Sequence, residues 1–112
     1  MIAEEVEEAV ALIAVGTFPA RLPRVPRDRL LELVEDALLT AEELRAEGVG
    51  VPLGLMTSLA TLKALLEETE EYGRIREDAT KACLLALAML RTRAWDRLDR
   101  LADLVVLTQS FT

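Results

Sequence analysis

Histidine and asparagine are missing from this chain, and the only glutamine is Gln109. Without histidine, no side chain has an ordinary pKa that makes it a general base near neutrality, and the commonest imidazole metal ligand is lost. A single cysteine, Cys83, excludes an intramolecular disulfide. It sits in an apolar stretch, where a thiol acts as a small hydrophobe and its thiolate is disfavoured. Such sparing cysteine usage predicts a reducing, cytoplasmic compartment. Aromatic residues make up 4% of the chain, too few for the interleaved platform on which bases stack. Cations are also in deficit, with 13 Lys and Arg against 20 Asp and Glu and a net charge of −7. A polyphosphate backbone needs a basic footprint, so nucleic acid is not an expected partner.

Long apolar runs are absent too. None approaches the roughly 18 residues of a membrane span, and the acidic start Met1 to Glu8 lacks the basic opening of a signal peptide. Neither a membrane nor a cofactor is implied. Lysine occurs only at Lys63 and Lys81, the other cations being Arg. That bias fits either a thermophilic source or a GC-rich genome.

What the chain does contain is Leu, Ala and Val. A 52% hydrophobic fraction beside 29% charged residues fits a folded globular protein, and Leu and Ala are strong helix formers. The expectation is one all-α domain over residues 1–112, a compact bundle of four or five helices with a Pro-rich connector between the first two. At this size, oligomerisation is a common additional source of stability.

Taken in order, Ile2 to Val15 reads as a first helix, with Ile2, Val6, Ala9, Val10 and Ile13 on one stripe and Gly16 as its C-cap. Pro19, Pro23 and Pro26 exclude helix from the next stretch, and Phe18, Leu22 and Val25 are suited to pin it to the bundle. A second helix starts near Pro26 and stops at Gly48, burying Leu30, Val34, Ala37, Leu38, Ala41 and Leu44. After a turn over Gly48 to Gly54, a third runs from about Leu55 to Tyr72 with Leu55, Leu59, Leu62, Leu65 and Leu66 inward. The fourth begins between Arg74 and Glu77. No Gly or Pro separates it from Ala94 to Leu107, which favours one continuous or kinked helix over residues 74–108, against a break near Arg91 to Arg93. Trp95, Leu98, Leu101, Ala102 and Val105 mark the apolar face of that last stretch, and Ser110 to Thr112 reads as a frayed tail.

Four features bear on function. The run Ala82 to Leu90 is apolar on every side, and a helix of that kind must be covered on every side. It is either the central helix of the core or half of a subunit interface carried by Leu84, Leu85, Leu87 and Met89. Arg21, Arg24, Arg27 and Arg29 form a local basic patch on an acidic chain, suited to bidentate capture of carboxylate or phosphate. It can dock an acidic partner, a phosphate or the acidic helices of a second copy. Arg93, Arg97 and Arg100 alternate with Asp96, Asp99 and Asp103, and the Asp96–Arg100 and Arg100–Asp103 spacings predict pairing along an exposed helix face.

The fourth feature is acidic. Glu4, Glu5 and Glu8, followed by Glu32, Glu35 and Asp36, loosely resemble the acidic spacing of all-α nucleotide pyrophosphatases of the MazG type. That resemblance implies Mg²⁺ held between two helices by Glu4, Glu8, Glu32 and Asp36, since a hard cation on a triphosphate takes oxygen ligands. Yet in this sequence all four lie opposite the apolar stripes of their helices, which predicts a solvated acidic face. Gly48 to Gly54 holds three glycines but no Lys and follows no strand, so it is not a P-loop. The sequence therefore favours a non-enzymatic protein acting by association, with itself or with another protein. The Mg²⁺-dependent hydrolase and a helical subunit of a nucleoprotein complex are the alternatives.

Overall fold

The structure, a computed structural model, describes residues 2–110. It is all-helical: α1 (Ile2–Ala14), α2 (Arg27–Ala46), α3 (Leu53–Glu68), α4 (Tyr72–Thr92) and α5 (Leu98–Gln109). The side chain of Ile2, at the head of the α1 stripe, and the tail residues Phe111 and Thr112 lie outside the described residues. No helix among them is long and apolar enough to cross a membrane.

The apolar run sits in α4, and α4 is the one helix that touches all four others. Leu84, Leu85 and Met89 are fully covered within the chain, as are the small residues Ala79, Ala82, Cys83 and Ala86 that let neighbouring helices approach. Leu87 is half-buried. Covering a Leu side chain is worth roughly 1.5–3 kcal/mol, so this run contributes heavily to the core. In this fold Leu84, Leu85 and Met89 have no surface to offer a second chain, because the rest of the same chain already covers them.

The stripes on α2 and α3 bury Leu30, Val34, Ala37, Ala41 and Leu44, and Leu55, Leu59, Leu62 and Leu66, with Leu33 added and Leu38 and Leu65 half-buried. Three boundaries differ from the sequence-based expectation. Helix α3 stops at Glu68 because Thr69 is extended (φ −66°, ψ 137°), and α4 starts at Tyr72, so Gly73 lies inside its first turn. The Thr69 hydroxyl accepts a hydrogen bond from the Glu71 amide and fixes the corner. Helix α3 also begins earlier, at Leu53, directly after Pro52. The Leu98 side chain leans against Gly54, where an added Cβ would meet its Cδ2 at 3.2 Å.

The continuous helix over 74–108 is not formed. Arg93 takes the left-handed conformation (φ 54°, ψ 36°), ending α4, and the Ala94 amide closes the end by donating to the Met89 carbonyl. Five residues later α5 starts, and its buried face is Leu101, Leu104, Val105 and Thr108; Ala102 is exposed. The break is fixed from outside the helix. Arg97, in the link, donates to the Ile13 carbonyl at the end of α1, a contact a straight helix would not make.

Candidate functional site: a basic concavity on the proline connector

The connector between α1 and α2 is held down along its length. Pro23 and Val25 are buried, Phe18 and Leu22 half-buried, and the Tyr72 hydroxyl donates to the Val25 carbonyl. Three prolines restrict its backbone, so the chain keeps an extended path without a sheet to support it. Gly16 (φ +99°) makes the turn out of α1.

Against this connector lie the first turns of α4 and the start of α5. Arg76 and Thr80, and Glu77 and Lys81, are spaced four residues apart and share one face of α4. With Phe18 to Arg24 and with Arg100 of α5 they enclose a concavity of about 580 Å³, within the range of ligand-sized clefts. Five cations line it, namely Arg21, Arg24, Arg76, Lys81 and Arg100, against the single carboxylate of Glu77. Lys81 pairs with Glu77 at 3.5 Å, and the Arg100 guanidinium stands 5.8 Å from the Phe18 ring centre, in cation–π range. Arg21, Arg24 and Arg76 form no salt bridge among the described residues, on a chain with twenty carboxylates.

Thr80 is buried at the wall of the concavity. The helical threonines Thr92 and Thr108 donate to the carbonyls four residues back, but the Thr80 hydroxyl has no hydrogen-bond partner among the described residues. Its polar neighbour is Tyr72, whose own proton goes to Val25. Burial raises the Tyr72 pKa above its ordinary value, while the nearby Thr80 hydroxyl and Arg76 charge favour the phenolate and hold part of that rise back. Cys83, one turn further into the core, is pushed up to about 12 by burial and is inert as a nucleophile.

Arg21 and Arg24 thus line the concavity, but Arg27 does not. Its guanidinium donates to the Thr69 and Glu67 carbonyls at 2.8 and 2.6 Å, closing the C-terminal end of α3. Arg29 is spent on Glu32 at 3.0 Å. The expected Asp96–Arg100 and Arg100–Asp103 pairs do not form either: Asp96 precedes α5, and Arg100 turns to Phe18. Arg76, Lys81 and Arg100 were missed as site residues because they lie more than fifty positions from Arg21 and Arg24. The available signal was the clustering of polar residues on one side of the first turns of an otherwise apolar helix.

The acidic residues fare differently. Glu4 and Glu8 are exposed on α1, Glu32 and Asp36 are exposed on α2, and those two helices do not touch. Among the described residues no group of three or more Asp, Glu, His or Cys side chains comes together to hold a metal ion. Helix α1 meets α4 instead, through Glu7 and Arg91 at 2.8 Å. Comparison with known proteins finds no matching family model, no matching curated protein and no matching solved structure.

Proposed function

We propose that this protein acts without catalysis, by docking an acidic segment of a protein partner onto the basic concavity. The observation behind this reading is that Arg21, Arg24 and Arg76, which form no salt bridge among the described residues, share one hollow with Arg100 and Lys81 on a chain of net charge −7. Guanidinium groups grip carboxylates with two parallel hydrogen bonds, and a local patch of opposite sign steers an acidic segment into register. Carboxylates suit the hollow better than a nucleic acid, because the acidic remainder of the surface repels a long polyanion while a short segment need meet only the patch. The hollow contains no free base, since its one carboxylate is held by Lys81.

A fluorescent Glu-rich peptide titrated into the protein, at dilutions that keep it monomeric, tests this. Saturable binding that is lost in Arg24→Glu supports it. No binding, or binding indifferent to that change, overturns it. Stabilisation by inorganic pyrophosphate where the peptide gives none would also overturn it, in favour of a phosphate ligand.

A further inference from the structure

The connector has two flanks of different charge: cations dominate one, and two carboxylates outnumber the shared Arg21 on the other. Pro19, Arg21, Leu22 and Pro23 line the basic concavity and also a second groove of about 330 Å³ floored by α1. Glu5, Glu8 and Leu12 line that second groove. Glu5 and Glu8 are exposed, share one face of α1 at i, i+3 spacing, and form no salt bridge among the described residues; the α1 carboxylate that is paired is Glu7, with Arg91. Leu12 is 44% exposed, a large apolar side chain left beside unpaired charge.

From this arrangement we infer that the acidic segment docking on the concavity is the α1 flank of a second copy of this chain, in a two-fold pair. This rests on the reading of the concavity given above and names its partner. A two-fold axis passing through the connector exchanges its flanks. Each copy then sets Glu5 and Glu8 against Arg24 and its neighbours in the other, and both ion-pair sets form at once. An isologous contact needs a self-complementary patch, and an acidic groove sharing a wall with a basic one meets that need. The same motion brings each Leu12 towards the half-buried Pro19 and Leu22 of the facing connector and removes it from water. The closed pair uses both flanks of both copies, so assembly stops at two and does not continue as a filament.

Charge reversal with exchange tests the inference by sedimentation equilibrium. The wild-type chain should form a dimer. Arg24→Glu with Arg100→Glu should raise its dissociation constant by about tenfold or more, and so should Glu5→Arg with Glu8→Arg. Mixed one to one, the two variants should pair again, because one contact keeps its wild-type signs and the other returns with its signs exchanged. All four positions are exposed, and circular dichroism checks that each variant is folded. If reversal disturbs a fold, Arg24→Ala and Glu8→Gln should each weaken the dimer instead. A monomeric wild type, a dimer untouched by these changes, or a mixture that fails to pair overturns the two-fold assembly. If the monomer still binds the Glu-rich peptide through Arg24, docking of an acidic partner stands and only the identity of the partner falls; if it binds neither, both fall.

Discussion

The Tyr72 hydroxyl, at the first residue of the central helix, donates its hydrogen bond to the Val25 carbonyl at the end of the proline connector. It therefore joins the two walls of the basic concavity. Tyr72→Phe leaves that carbonyl without its donor, which should cost about 1–3 kcal/mol in chemical denaturation. The connector should also open more often, so trypsin should cut faster after Arg21 and Arg24, as read by mass spectrometry of the digest.

Arg24 and Arg27 look equivalent in the sequence and are not. Arg27→Ala removes two charge-assisted hydrogen bonds from the end of α3 and should lower stability by roughly 1.5–3 kcal/mol. Arg24→Ala, with no bond among the described residues to lose, should stay within about 0.5 kcal/mol of wild type at dilutions that keep the chain monomeric. Thermal melts of the pair measure the contrast. Equal effects would contradict the division of the patch into one structural and one binding arginine.

Within the apolar run, Leu85 and Leu87 differ in how far they are buried. Leu85 is fully covered and Leu87 half-buried. Leu85→Ala should cost about 2–5 kcal/mol, and Leu87→Ala on the order of 1 kcal/mol. Urea unfolding midpoints give both values, and a larger loss at Leu87 would indicate that a second chain covers it.

Arg93 holds a left-handed conformation that costs an L-residue about 1–2 kcal/mol. Arg93→Gly should accordingly stabilise the protein by about 1 kcal/mol, while Gly48→Ala, at φ +90° in open space, should destabilise it by a similar amount. Differential scanning calorimetry should show the two melting temperatures moving in opposite directions.

Alkali should weaken the fold through Cys83. An unfolded thiol loses its proton near pH 9.0, but the buried one keeps it until about 12. Across that window the folded state binds more protons than the unfolded state, so stability falls as pH rises; below it the contribution is complete. The loss is on the order of 4 kcal/mol by the top of the window. Tyr72, also raised by burial, adds to the decline above pH 10.0. Urea midpoints measured against pH should drop over this range, and Cys83→Ala should remove the part that begins near pH 9. A wild-type curve that stays flat to pH 11 would show that the thiol is not shielded.

Much of the fold is written locally. The stripes of α1, α2 and α3 follow from apolar residues at helical spacing, and the all-round apolar character of Ala82 to Leu90 follows from the absence of any charge between them. Where helices end is less local. Gly16 and Gly48 end them as a sequence reading expects, but α3 is stopped by Thr69 with Arg27 reaching across 42 positions to its last carbonyls. Helix α4 ends at Arg93, a residue with no breaker chemistry of its own, and Arg97 ties the following link to Ile13, 84 positions away.

The sequence by itself determined that this is a helical, acidic chain with a proline-restricted connector and a patch of arginines beside it. These are properties of neighbours along the chain, set by backbone propensity, period and charge count. Only the tertiary structure decided that Leu84, Leu85 and Met89 are core and that Arg27 is structural. It likewise brought Arg21 and Arg24 together with Arg76, Lys81 and Arg100, and held Glu4 and Glu8 apart from Glu32 and Asp36. Each of those depends on which faces of distant helices meet. Burying an apolar stripe fixes which way a helix turns inward, while the polar residues that come together on the outside follow from how the helices pack.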